Sequence, residues 1–341
     1  MSPAPDSSVH RRGFLNSLAA GAAAGSVRRA HGAGTAPADQ ALVAITLDLE
    51  MSRNFPTWEQ THWDYEKGNL DAATKAYAVE AARRVKARGG LVHFFALGQT
   101  MEQADVGWLR DIAREGHPIG NHTYDHVNVT ATRLEDLQFR FRRAPWLVEG
   151  KTAAEAVAAN VRMGHRALAQ RLGIEPAGFR TPGGFHDGLS DRPDVQAMLL
   201  KLGYRWVSSK YPAHPLGQPG KPCDPATLSA IVEALAQAQP FAYPSGLIEV
   251  PMSPVSDVTA FRSGRWPLES FVEATRAAVT RAIERRAVFC FLAHPSCLVA
   301  TDPRFRAIDA ICELVSAARD RCAIVDLDAV ARRAGSQPKA K

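Results

Sequence analysis

Short apolar runs alternate with longer amphipathic stretches from about Leu42 to Ala331, an order that neither an all-helical bundle nor an all-strand sandwich accommodates. The runs Leu42–Leu47, Leu91–Leu97, Ile119–Gly120, Ala177–Phe179, Trp206–Val207, Leu247–Val250, Val288–Ala293 and Ala323–Val325 have the unbroken hydrophobicity of strands covered on both faces. Between them, Ala72–Arg88, Val106–Glu115, Ala153–Leu172, Val195–Leu202, Leu228–Ala238, Leu268–Arg285 and Phe305–Ala318 carry helical spacing. Strands alternating with helices predict a parallel sheet, and seven or eight such units predict an α/β architecture of the distorted (β/α) barrel type. No shift in composition marks a second domain, and 341 residues at 46% hydrophobic are enough to bury one large core. We therefore expect a single barrel over residues 37–335 and a disordered tail over 336–341. The stretches Arg133–Gly150 and Lys210–Thr227 fit insertions at the rim of the sheet.

Residues 1–36 stand apart. Arg11-Arg12-Gly13-Phe14-Leu15 precedes an uncharged run from Phe14 to Val27 that is rich in Ala and Gly, and a small-residue stretch, Ala30-His31-Gly32-Ala33, follows. A twin arginine before a weakly apolar segment is the pattern of the twin-arginine signal that exports folded proteins in bacteria. The run is too short and too rich in Gly and Ala to span a bilayer, so no stable membrane anchor is expected. The expected destination is periplasmic or extracellular. Without these residues the balance is 37 basic against 34 acidic side chains, a formal +3 where the whole chain has +6. Nothing in that balance argues for a nucleic-acid partner. The five cysteines, Cys223, Cys290, Cys297, Cys312 and Cys322, show no C-x-x-C spacing and build no zinc site; outside the cytoplasm one disulfide is conceivable, with no partners chosen by the sequence.

The stretch E-G-H-P-I-G-N-H-T-Y-D-H at 115–126 places His122 and His126 four residues apart. If a helix begins near Asn121, that spacing puts both imidazoles on one face, about 5–6 Å apart at Cβ, within reach of one small cation. The protease form of such a claw needs Glu after the first His, and Thr123 cannot act as a base at neutral pH. A closed structural zinc site would want four ligands with cysteines among them. An open, catalytic metal centre is the better fit.

Parallel sheets gather their chemistry at the C-terminal ends of the strands. Past the first run come Asp48 and Glu50 in T-L-D-L-E, carboxylates at i and i+2 that share one side of an extended strand. Past Phe179 comes R-T-P-G-G from Arg180, and past Ala293 comes His294. Singly, these residues suit a helix cap, a surface cation and a core histidine; together they suit amide or ester hydrolysis. A divalent cation on two His and a carboxylate lowers the pKa of water and polarises a carbonyl. A free carboxylate then serves as base, a His on the opposite side protonates the leaving nitrogen, an Arg keeps the base ionised, and a backbone N–H in a Gly-rich turn helps bind the oxyanion.

With these motifs in this order the chain resembles the polysaccharide deacetylase family, the NodB-homology domain, from about Leu42 to Ala331. The resemblance implies a distorted (β/α) barrel that removes acetyl groups from sugar polymers with a divalent metal. G-H-P-I-G-N-H-T-Y-D-H resembles the second family motif, which makes His122 and His126 metal ligands. G-F-R-T-P-G resembles the third, which gives Arg180 the task of orienting the base and the Gly183 N–H that of facing the oxyanion. F-L-A-H-P resembles the last, which makes His294 the general acid, whereas His93 in H-F-F-A-L-G belongs to scaffold. Two departures stand out. Leu49 occupies the place of the usual second aspartate, so the pattern is that of members with Asp-x-Asp or Asp-x-Glu: Asp48 the base and Glu50 the third ligand, or the reverse. The Trp206-Val207-Ser208-Ser209-Lys210 stretch lacks the aspartate that tunes the acid His, and Asp257 is the nearest downstream carboxylate.

The ligand set admits zinc first, with cobalt, nickel or iron as alternatives. Export favours a glycan partner containing N-acetylglucosamine, either a polysaccharide or peptidoglycan. Trp206, Tyr211, Phe241, Tyr243 and Trp266 offer flat faces for sugar rings, with core packing as the competing role. Relatives with the Asp-x-Asp/Glu pattern include hydrolases of small cyclic amides and ureides. A carbohydrate-binding homologue without activity ranks last, because base, acid and orienting Arg are all present.

Overall fold

The computed structural model describes residues 39–52 and 67–336. The expected signal at 1–36 and the tail beyond Ser336 lie outside the described residues. Nine strands form one sheet: β1 (Ala41–Leu49), β2 (Val92–Ala96), β3 (Ile119–Asn121), β4 (Phe179–Phe185), β5 (Trp206–Lys210), β6 (Phe241–Ala242), β7 (Ile248–Glu249), β8 (Val288–Ala293) and β9 (Cys322–Ile324). Their order is β6-β7-β5-β4-β3-β2-β1-β8, with β9 added beside the start of β1. Every pairing is parallel except that of β6 with β7. The eight expected runs all become strands; the short antiparallel β6 was not anticipated, because two residues carry no period.

The sheet curls toward closure. Val250 N donates to Val207 O at 2.8 Å, Met252 N to Lys210 O at 2.9 Å, and Ser253 N to Cys290 O at 3.0 Å. The extended segment after β7 thus bridges β5 and β8 with single hydrogen bonds, which is the distortion in this (β/α) barrel.

β1 is buried along its whole length because it faces two cores. Val43, Ile45 and Leu47 pack outward with Tyr77, Ala78, Phe271, Ala278, Ile308 and Ile311 from the helices Ala72–Lys86, Leu268–Arg285 and Arg306–Ala317. Leu42 and Ala44 face inward, onto Phe95, Trp206, Val250 and Cys290. The period of two then carries Thr46 and Asp48 along the same inner side toward the C-terminal end of the strand.

Helix boundaries follow local chemistry. The helix Ala153–Leu172 opens on a capping box between Thr152 and Glu155 and stops at Gly173, whose φ of 70° is left-handed. Helices Phe139–Arg143, Pro295–Thr301 and Leu327–Gly335 are additional to the expected set. All five thiols are unpaired. Among the described residues no helix is long and apolar enough to cross a membrane.

Candidate metal centre and active site

The register of the sheet brings the C-terminal ends of β1, β2, β4, β5 and β8 level. Asp48 pairs with Phe95, Arg180 with Ser208 and Leu47 with Ala293. At this end opens a cavity of about 940 Å³, lined by Asp48, Glu50, Lys67, His122, His126, Gly183, Tyr211, Arg262 and His294 among others. The Arg133–Gly150 insertion supplies part of the wall, including Leu137, Phe139 and Arg142.

Arg180 is the keystone of the barrel interior, with no solvent exposure. Its Nη1 donates to Thr46 Oγ1 at 2.7 Å and to Asp48 Oδ1 at 2.8 Å. Nε and Nη2 donate to Ser208 Oγ at 3.3 and 3.2 Å, and the guanidinium lies 4.3 Å above the Phe95 ring. Asp48 is thereby fixed by one oxygen. Its Oδ2 stands 3.9 Å from His122 Nε2.

The histidine pair sits in a loop, which corrects the helix expected from its spacing. The chain leaves β3 at Asn121, and Thr123 and His126 both take left-handed backbone angles, φ 66° and 60°, that an α-helix does not contain. Side chains replace the helical hydrogen bonds. Asn121 Oδ1 accepts from Thr123 N at 2.9 Å, and Thr123 Oγ1 from Val127 N at 3.2 Å. Asn160 Oδ1 accepts from both Tyr124 N and Asp125 N at 2.9 Å. The imidazoles still meet, with ring centroids 5.2 Å apart.

Glu50, His122 and His126 offer ligand atoms that all lie within 4.8 Å of one another. Glu50 Oε2 is 2.7 Å from His126 Nε2 and 3.4 Å from His122 Nε2. Among the described residues this buried oxygen accepts no hydrogen bond. His122 Nδ1 donates to Arg180 O at 3.0 Å, which leaves its Nε2 as a lone pair facing Glu50. Burial pushes the His126 imidazole down to about 4 against the opposing pull of Glu50, so it is neutral at pH 7. Burial would raise the Glu50 carboxyl, but its electrostatic interaction with the His126 ring and the Lys67 ammonium, with His122 beside it, holds it well below its ordinary value. Two imidazole nitrogens and one carboxylate oxygen converging on a shared point are a donor set that fits a divalent cation.

On the strand beside β1, His294 directly follows β8. Its Nδ1 donates to Asp257 Oδ1 at 2.9 Å and its backbone N to Asp257 Oδ2 at 2.7 Å. Burial alone would lower the imidazole, yet the Asp257 carboxylate outweighs burial and raises it above its ordinary value. His294 Nε2 points at the centre, 3.6 Å from Glu50 Oε1.

Gly183 stands on the cavity wall with φ 79°, its carbonyl accepting from Thr181 Oγ1 at 2.8 Å. Trp206 is the correction: it does not line the cavity. It begins β5 at the opposite end of the barrel, 4% exposed, with Nε1 donating to Asp328 Oδ1 at 2.7 Å and its ring against His93 and Phe95. Tyr243 and Trp266 are likewise core, whereas Tyr211 reaches the cavity wall. His93 is scaffold, donating through Nε2 to Ala177 O at 2.8 Å and accepting Leu327 N at 3.2 Å through Nδ1. Lys67 was not foreseen. Its ammonium reaches Glu50 Oε1 at 2.6 Å, and both side chains are 3% exposed. A lysine in a polar stretch carries no sequence signal for burial.

Fold and site together define an α/β barrel whose strand ends assemble a group able to hold a metal ion beside two candidate proton-transfer residues. The polysaccharide deacetylase family model matches residues 65–207, a span holding His122, His126, Arg180 and Gly183. Over this span the chain is similar to that family. A putative polysaccharide deacetylase from Mycobacterium smegmatis superposes with a TM-score of 0.58 at 16% identity, covering 90% of this chain and 96% of that one. The Puue allantoinase superposes with a TM-score of 0.55 at 12% identity, covering 89% and 94%. At these identities the likeness is one of fold. No curated protein sequence matches the chain.

Proposed function

We propose that the protein is a metal-dependent hydrolase that removes N-acetyl groups from a glycan containing N-acetylglucosamine, either a polysaccharide or peptidoglycan. The observation that carries this reading is the gathering of Asp48 and His294 beside the Glu50, His122 and His126 group, inside one cavity. A divalent cation held by Glu50 Oε2 and the Nε2 atoms of His122 and His126 would polarise the amide carbonyl and acidify a water, zinc being the first candidate. Asp48, gripped at Oδ1 by Arg180, presents Oδ2 to take the proton of the attacking water. His294, held protonated by Asp257, gives a proton from Nε2 to the departing amine. The Gly183 N–H, at the cavity wall near the end of β4, would donate to the oxyanion. Tyr211 and Met252 give one wall an apolar surface for a sugar ring. The Arg11-Arg12 pattern supports export and hence a substrate outside the cytoplasm.

A second reading, a hydrolase of a small cyclic amide or ureide, draws support from the cavity volume of about 940 Å³, which suits a single small ligand, and from a fold shared with an allantoinase. One experiment separates them. The metal-loaded protein is assayed for acetate release from chitin oligomers and peptidoglycan, and in parallel for ring opening of cyclic amides. Acetate without ring opening supports the deacetylase; ring opening alone selects the second reading; neither, with metal bound, rejects both substrate assignments.

A further inference from the structure

Glu50 brings two oxygens into the centre, and the structure treats them differently. Oε2 faces the imidazoles, while Oε1 accepts from Lys67 Nζ at 2.6 Å. Lys67 is itself fixed at the backbone, because its carbonyl accepts from Met51 N at 2.9 Å. The next residue, Gly68, passes so close to Gln99 that a Cβ there would lie 2.4 Å from Gln99 Cβ. The ammonium therefore has little freedom to leave Oε1. A glutamate is one methylene longer than an aspartate and swings more widely about the end of β1. Unrestrained beside a cation, such a carboxylate can bind through both oxygens and occupy a position that water or substrate needs.

We propose that Lys67 is a positioning residue that makes Glu50 a one-oxygen ligand, so that the bound cation keeps an open coordination position. This rests on the metal-centre reading above. It explains why a buried lysine lies against a candidate ligand, an arrangement that would otherwise bury an ion pair with little net gain in stability.

The test uses the full chain loaded with cobalt(II), with metal content measured first. X-ray absorption of the wild-type protein should show Glu50 contributing one oxygen, and the visible spectrum should have the strong bands of low-coordinate cobalt. Lys67→Met should retain cobalt but lose most of that absorption as Oε1 joins the metal. Lys67→Gln, whose amide N–H stops one bond short of the lysine nitrogen and meets Oε1 through a water, should recover part of it. A two-oxygen carboxylate in the wild type, or an unchanged spectrum in Lys67→Met, overturns the inference; if Lys67→Met does not fold, the wild-type absorption decides. A wild-type protein that binds no cobalt overturns the metal centre itself and this inference with it, an outcome distinct from metal bound in the wrong mode.

Discussion

Asp257 grips His294 at two points, its Oδ1 receiving the ring Nδ1–H at 2.9 Å and its Oδ2 the backbone N–H at 2.7 Å. The same Oδ1 also accepts from Val258 N at 2.8 Å, so the carboxylate is anchored to its own turn while it orients the ring. Ring orientation and charge are set by one side chain. The carboxylate partner of His294, absent from the Trp206–Lys210 stretch, is supplied by the segment that follows β7, where Asp257 caps the helical turn Val258–Ser263.

On the proposed mechanism that pair should set the alkaline limit of the reaction. The His294 pKa is raised, so the protonated acid persists above the ordinary histidine range and activity falls as pH climbs through the raised value. In Asp257→Asn the supporting charge is gone, and the alkaline limb of kcat/KM should move down by about 1–3 pH units. Stability should follow the same sign. The raised pKa contributes stability that is fully present below the unfolded value of about 6.5 and lost as pH rises through the folded one. The variant should lose this slope in urea titrations across neutral pH. An unmoved alkaline limb would detach His294 from the rate.

Arg180 and Asp48 make a wholly buried ion pair, and removing one member strands the other. Arg180→Met should cost about 3–5 kcal/mol in denaturant unfolding, because the buried Asp48 carboxylate is left without its cationic partner. A cost below about 1 kcal/mol would mean that water reaches this layer.

The roles of Asp48 and Glu50 separate in metal content. Asp48→Asn should keep about one metal per chain yet lose turnover by about 10²–10⁴, the scale for a proton-transfer residue. His126→Ala should lose metal and turnover together. Metal loss in Asp48→Asn would reverse the two carboxylates. In the wild type a chelator should lower the thermal midpoint and re-added zinc should restore it, since a ligand bound only to the folded state stabilises it.

The outline of the barrel was legible because burial on both faces writes itself into sequence as continuous apolar runs; Val288–Ala293 forms a strand over those same residues. The convergence of Asp48, Glu50, His122, His126, Arg180 and His294 was legible because parallel strands end level. What stayed hidden depends on side-chain geometry without a period. The His122–His126 spacing suggested a helix, yet Asn160, 34 residues beyond His126, decides the loop. Trp206 looked like a substrate platform, but its place at the start of β5 puts it at the closed end of the barrel. Lys67 resembles any surface lysine until the fold brings it to Glu50.

Asn160 offers a test of the loop away from the metal-facing side chains. Its Oδ1 satisfies the N–H groups of Tyr124 and Asp125, and its Nδ2 donates to Asp125 Oδ2 at 2.6 Å. Two left-handed residues in the same loop, Thr123 and His126, depend on such outside support, since each conformation is unfavourable on its own. Asn160→Ala should therefore destabilise the protein by about 1–3 kcal/mol through unsatisfied buried donors. It should also weaken metal binding by about 10–100-fold, because His126 loses the frame that aims it. Asn160→Asp keeps the accepting oxygen but sets a second carboxylate against Asp125, so it should not restore either property. Paired urea unfolding and metal titration of both variants check this, and an Asn160→Ala protein that binds metal as tightly as wild type would show that His126 is held by its own ring contacts.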